Sequence, residues 1–314
     1  MKILVAGATG ALGKQLVPQL VERGHEVVGM TRREARRPLV EELGARAAVA
    51  DGLDPEAVAQ AVAEAVPEVI VHEMTALAGN LSLRNIDRTF AQTNRLRTEG
   101  TDHLLSAGRA VGVKRFVVQS FAGWPFARVG GPVKTEEDPL DPSPPKEVQE
   151  TMAAIRHLES AVREADWTDG IVLRYGGFYG PGTSFAKPDG QQYEMVRKRR
   201  FPLVGEAGGI WSLVHIADAA SATAQAVEHG PPGIYNVVDD EPAPVSEFLP
   251  YAAKVIGAKP PRRLPVWLAR LISGEAGVAM MTEIRGASNA KAKRELGWKL
   301  RYPSWRQGFA AELG

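Results

Sequence analysis

The chain contains no cysteine. That removes disulfides, thiolate nucleophiles and cysteine-ligated zinc in one step, and it suits a cytoplasmic protein. Charge of one dominant sign is also missing: 38 Lys and Arg stand against 37 Asp and Glu, a net charge of +1. Such a balance provides no electrostatic footprint for nucleic acid or an anionic membrane. The densest basic run, Arg197-Lys198-Arg199-Arg200, reads as a solvated helix face rather than an anion site. No apolar run reaches the roughly 18 residues of a membrane span. Met1 to Ala6 is apolar, but glycines and Lys14 follow without a small-residue cleavage site, so the segment is expected to stay in the protein. No histidine–carboxylate set has metal-ligand spacing, and no metal is expected.

What is present is ample core material, 44% hydrophobic over 314 residues. Short Val- and Ile-rich runs alternate with helix-length segments across the first 174 residues. Strands are predicted at Lys2–Val5, Glu26–Met30, Ala45–Val49, Glu68–His72, Arg115–Gln119 and Gly170–Leu173. Helices are predicted at Leu12–Arg23, Pro55–Ala65 and Arg84–Val111. This alternation predicts an α/β fold: a doubly wound parallel (Rossmann) sheet with helices on both faces. Residues 1–180 are expected to form the dinucleotide-binding domain, and 216–238 to return to it as a helix and a strand. Residues 181–215 and 239–314, richer in Gly, Pro and Trp, are expected to build a smaller substrate lobe. Gly130 to Pro145, with five prolines, is a long loop, and such loops in compact domains are often functional.

The first chemical motif is Gly7-Ala8-Thr9-Gly10-Ala11-Leu12-Gly13, between the first strand and first helix. Gly7 permits the sharp turn, Gly10 lets backbone approach a pyrophosphate, and Gly13 lets the helix pack closely on the sheet. The helix N-terminus favours the phosphate charge. The second strand ends in Thr31-Arg32-Arg33, without the carboxylate that would bind the ribose diol of NAD. Two guanidinium groups there suit the 2′-phosphate of NADP(H), which makes NAD(H) the less favoured ligand. Asp51 and Gly52, after the third strand, stand within reach of the adenine, whereas Asp54 reads as a helix cap before Pro55. His72 and His215 lie in apolar runs and read as core histidines.

These features resemble the short-chain dehydrogenase/reductase superfamily, in its extended, NAD-dependent epimerase/dehydratase-like branch. The resemblance rests on the glycine turn, Asp51, Val71 to Ala76, the helix Asn94 to Leu105, Phe116 to Ser120 and Leu173 to Gly182. Trp211 to Ala219 and Leu296-Gly297-Trp298 extend it over nearly the whole chain. It implies that Met74, Thr75, Ala76 and Asn94 line the cofactor site. Ser120 would stand near the reacting group, with Tyr175, Gly176, Gly177 and Phe178 bordering the nicotinamide.

The superfamily's acid/base is a Tyr-x-x-x-Lys pair, and here the chain departs from it. No tyrosine occurs between Ser120 and Glu159. Thr151 or Met152 stands at the tyrosine position and Ile155 or Arg156 at the lysine position. Replacement proton donors are Tyr179, Lys134 and then Tyr193, with Ser120 polarising the substrate. The expected function is an atypical NADP(H)-dependent oxidoreductase acting on a small organic carbonyl or related compound, as a monomer or homodimer. A non-catalytic NADP(H) sensor and a nucleotide-sugar epimerase or dehydratase are the alternatives.

Overall fold

The apolar runs form strands because both faces of each are buried. In the first strand, Ile3 and Val5 point into one hydrophobic cluster while Leu4 and Ala6 point into another, and all four are inaccessible to solvent. The computed structural model describes residues 1–77 and 83–314. Seven parallel strands make the sheet: β1 (Lys2–Ala6), β2 (Glu26–Thr31), β3 (Arg46–Val49), β4 (Val69–His72), β5 (Arg115–Phe121), β6 (Asp169–Tyr175) and β7 (Gly233–Val237). Their spatial order is β7-β6-β5-β4-β1-β2-β3, so the winding reverses between β1 and β4. In open α/β sheets ligands bind beyond the carboxyl ends of the strands at that reversal. The fold class is the expected one.

One face is covered by α1 (Ala11–Glu22) and an alanine-rich helix, Ile216–Glu228, whose small side chains let the two lie close. The other is covered by α3 (Pro55–Ala65), α5 (Glu99–Val111) and α6 (Gln149–Glu164), after the short α2 (Arg37–Glu42) and before β5 the helix α4 (Ile86–Arg97). Asp54 caps α3, accepting from the amides of Glu56 and Ala57 at 3.1 Å.

The helix expected over Arg84–Val111 is two helices, broken at Thr98 (φ −94°, ψ −84°). The Thr98 hydroxyl donates back to Asn94 O at 3.1 Å and Arg95 O at 3.3 Å, the kind of side-chain bond that bends helices. The strand after Ile216–Glu228 joins the sheet edge as β7, beside β6.

A further hydrophobic cluster contains Tyr179, Phe185, Tyr193, Phe248, Trp305 and Phe309, and is built around two-residue strand pairs such as Leu203–Val204 with Arg263–Leu264. Gly297 takes φ +66° at the stop of the helix Ala290–Glu295. Asn289 sits at that helix's N-cap, but its amide turns away to Val238 O and Asp240 Oδ1, and Ser288 Oγ accepts the Ala290 amide instead. No helix of the described residues is long and apolar enough to cross a membrane.

Candidate functional site

The site begins with the glycine turn at the reversal point. Gly7 has φ +99°, and a Cβ there would stand 2.7 Å from Glu73 O. A Cβ on Gly13 would stand 2.6 Å from Ala8 O and overlap Gly7 O as well. Both glycines therefore set how closely strand, turn and helix approach. Gly10 differs: a Cβ there would meet only Gly7 O, at 3.2 Å, and otherwise open space among the described residues. Ala11 and Leu12 open α1, whose first amides have no intrahelical partner and carry the positive end of the helix dipole. Close backbone, an open Cβ position and a helix N-terminus together fit a pyrophosphate.

The turn also fixes the end of β2. Gly7 and Ala8 amides donate to Met30 O at 3.2 and 3.3 Å, and the Thr9 and Thr31 hydroxyls lie 3.4 Å apart. Arg32 and Arg33 follow, exposed and without a side-chain partner among the described residues. Asp51 accepts the Leu53 amide at 3.1 Å within its own turn. Gly52 packs under Met74, whose sulfur would lie 2.5 Å from a Cβ at position 52. Thr75 is exposed, and the Ala76 amide donates to Thr93 Oγ1 at 3.0 Å. The segment after β6 comes back toward α1: a Cβ on Gly182 would lie 3.9 Å from the Ala11 methyl, and Phe178 and Ala11 each pack on the cluster that includes Tyr175. Gly176 and Gly177 run against Ser212 O, which accepts the Gly177 amide at 2.9 Å.

Beneath the turn lies an acid that sequence reasoning missed. The Glu73 carboxyl is buried and one of its oxygens has no partner. Tyr175 Oη lies 3.0 Å from its other oxygen and 2.7 Å from Thr223 Oγ1, while the Thr223 hydroxyl donates to Ala219 O. One phenolic proton cannot serve both neighbours, so a neutral Glu73 that donates to Tyr175 satisfies the set. Burial pushes the Glu73 carboxyl up to about 8. Its neighbour His72 is a core histidine: Nδ1 accepts the Met74 amide at 3.2 Å, Nε2 lies 3.2 Å from Leu96 O, and burial pushes the ring down to about 4. His215 is likewise internal, accepting the Ala217 amide at 3.1 Å and packed between Tyr179 and Tyr302.

The expected proton-handling residues do not converge. Ser120 is buried, and its hydroxyl donates to Glu159 Oε1 at 2.6 Å; Glu159 also binds Arg174 through two bonds of 2.8 and 2.6 Å. Its one proton serves α6, not a ligand. Tyr179 is inaccessible in the aromatic cluster, edge-on to Phe309 and His215, and burial raises its phenol well above the usual range. Tyr193 belongs to the same cluster. Lys134 is buried in its own loop, bonded to Asp138 at 3.1 Å. In the same loop, Glu136 accepts the backbone amide of Asn236 in the edge strand β7 at 2.7 Å. On α6, Thr151 Oγ1 donates to Asp87 at 2.6 Å and accepts from Asn94 Nδ2 at 3.0 Å. Asp87 also takes the amides of Glu150 and Thr151 at 3.0 and 2.9 Å, holding the start of the helix. Ile155 is wholly buried. In the basic run, Arg197 and Lys198 pair with Glu194 on an exposed helix, the solvated face expected.

A glycine turn on a switch-point crevice of a parallel sheet defines a nicotinamide-dinucleotide-binding α/β protein. The NAD dependent epimerase/dehydratase family matches residues 3–237, and the chain belongs to that family. The 3-diazoavenalumate denitrifying reductase of Streptomyces sp is 44% identical over 313 residues, 99% of this chain and 100% of the relative. The 2-alkyl-3-oxoalkanoate reductase of Stenotrophomonas maltophilia is 30% identical over 267 residues, 82% of this chain and 76% of the relative. Among solved structures, UDP-glucose 4-epimerase of Thermotoga maritima matches with a TM-score of 0.77 at 20% identity, covering 100% of this chain and 97% of the other. The protein is an NAD(P)-dependent oxidoreductase.

Two outcomes follow from this geometry. Gly13→Ala should destabilise the fold by about 2–3 kcal/mol, since backbone oxygens would have to move. Gly10→Val should change stability by at most about 1 kcal/mol yet abolish dinucleotide binding. Urea unfolding and calorimetric titration of the two variants separate these effects, and the reverse pattern would misassign the phosphate cradle. For Glu73, unfolding releases the carboxyl to its ordinary value, so its stabilising share is intact below about pH 4.5 and is lost as pH rises toward 8. The slope is at most about 1.4 kcal/mol per pH unit. Glu73→Gln should remove it, gaining on the parent from pH 5 to pH 8; parallel stability curves would contradict a neutral Glu73.

Proposed function

We propose that the protein is an NADPH-dependent reductase of a small organic electrophile that needs no proton donor when the hydride arrives, an aryl diazonium group being the leading case. The observation that carries this reading is the start of α6. Thr151 or Met152 stands where the family's tyrosine is expected, the first locked between Asp87 and Asn94 and the second buried; Ile155 or Arg156 stands where its lysine is expected, the first buried and the second bonded to Asp141 O. Hydride added to a ketone leaves an alkoxide that must be protonated. Hydride added to a diazonium group gives a C–H bond and N2, with no oxygen to protonate. The 44% identical relative is named for such a denitrifying reduction.

The backbone of Gly7 to Gly13 would hold the pyrophosphate, and Arg32 and Arg33 would hold the 2′-phosphate. Met74 to Ala76 and Tyr175 to Phe178 would border the ribose and nicotinamide, and Asp51 the adenine. Bound NADPH supplies the hydride.

Losing either arginine should weaken NADPH roughly ten- to a hundredfold, because a hydrogen bond to a charged group contributes about 1.5–3 kcal/mol, while NADH changes far less. Titration of Arg32→Ala and Arg33→Ala checks this, and equal affinity of the parent for both cofactors would overturn it. For the substrate, initial rates of NADPH oxidation, corrected for the uncatalysed reaction, should be compared between aryl diazonium salts and a ketone panel. Diazonium salts should turn over with release of N2. Ketones should lag by about 10²-fold or more, the contribution of a positioned general acid. Ketone turnover at the same efficiency would sink the reading, and tight NADPH binding without any turnover would favour a sensor.

A further inference from the structure

Among the described residues, Arg97, in the last turn of α4, is a buried cation with few partners. Phe90, Asn94 and Arg97 lie at i, i+4 and i+7, on the face of α4 that meets α6 through the Asn94–Thr151 bond. The next residue inward, Leu96, offers its carbonyl to His72, which seats this turn at the carboxyl end of β4, on the ligand side of the sheet. Arg97 is only 5% exposed. Its guanidinium has five N–H groups, yet among the described residues it makes one long bond, 3.5 Å to Asn94 Oδ1, and lies 5.8 Å from the Phe90 ring.

No carboxylate pairs with it among the described residues, and residues 78–82 are Ala, Gly, Asn, Leu and Ser. Arg174 shows the contrast: equally buried, it is held by both oxygens of Glu159. Burial lowers Arg97 to about 10, so it remains a cation at neutral pH. A buried cation without an anion is costly, and its removal from water is offset when an anion arrives. Phe90 continues into an apolar cluster with Met152 and Trp124, and these two line a small cavity with Met280.

We propose that Arg97 is a substrate-binding residue that receives the carboxylate of a small aryl or unsaturated acid, whose apolar body lies along Phe90, Trp124 and Met152. The inference rests on the reading that a substrate occupies this side of the dinucleotide site, and its test does not require turnover. Calorimetry on the protein saturated with NADP+ compares trans-cinnamate with trans-cinnamide, which share a shape and differ in charge. The parent should bind the acid at least tenfold more tightly. Arg97→Met should reduce that preference to about one, with NADP+ affinity unchanged, and Arg97→Lys should keep part of it. Thermal unfolding reports whether each variant is folded; if the methionine variant is not, the parent and lysine variant decide. Equal binding of acid and amide by the parent, no binding of either, a preference that survives in Arg97→Met, or loss of NADP+ affinity in its place would each overturn the proposal. Failure of the diazo reading would leave the cinnamate preference intact, so the two ideas fail separately.

Discussion

The Gly7 backbone rests on the Glu73–Met74 peptide at a separation that leaves no space for a side chain, and the site is organised by that contact. Because the sheet reverses between β1 and β4, the chains leaving these strands diverge and open a crevice. The turn fills the inner end of that crevice with its own amides bonded inward, and leaves the first amides of α1 without an intrahelical partner. The contacts at Gly13 then hold α1 against the Gly7 and Ala8 carbonyls of the turn, so the helix start is aimed by main-chain packing rather than by a ligand. The end of β2 follows, since Met30 O takes two amides of the turn. A preorganised cradle of this kind avoids ordering a loop each time a dinucleotide binds.

Around this frame the ionisable groups fall into three physical states. His72 and Glu73 are deep and adopt neutral forms, because desolvation outweighs what their few partners return. Glu159 and Arg174 are equally deep but charged, since two short bonds offset their desolvation. Arg32 and Arg33 are exposed, and Arg97 is buried; none of the three has a carboxylate partner among the described residues. That unpaired positive charge suits the anionic cofactor and the acid proposed above.

Much of this architecture was legible in the chain. Continuous Val and Ile runs identify strands buried on two faces, and the glycine spacing identifies the phosphate turn, because both reflect local sterics. The break at Thr98 was not, since it depends on one hydroxyl bonding back to Asn94 O and Arg95 O within an otherwise helical pattern. Side-chain roles were read less well. Ser120 has the right place after a strand, but only the fold brings Glu159 within reach of its hydroxyl. Tyr179 lies four residues past the sixth strand, at the end of the short strand Gly177–Tyr179, far enough for its ring to enter the aromatic cluster with Phe309. In Asn94-Arg95-Leu96-Arg97-Thr98 nothing local separates Arg97 from a surface charge. Its neighbour Arg95, exposed and paired with Glu99, is such a charge. One position on a helix separates the two, and the partner helix decides which is buried.

The capping of α6 by Asp87 has a bearing on how this fold can diversify. The helix takes its starting anchor from α4, a neighbour in space, and not from the segment that precedes it in the chain. That preceding segment, Gly130 to Pro145, fastens itself through Lys134–Asp138, pairs its own short strand with Gly286–Ala287, and receives Arg156 at Asp141 O. It is an insert clipped onto a scaffold that is already held together. Because its first turn is held from α4, α6 keeps that anchor whatever the composition of the stretch before it.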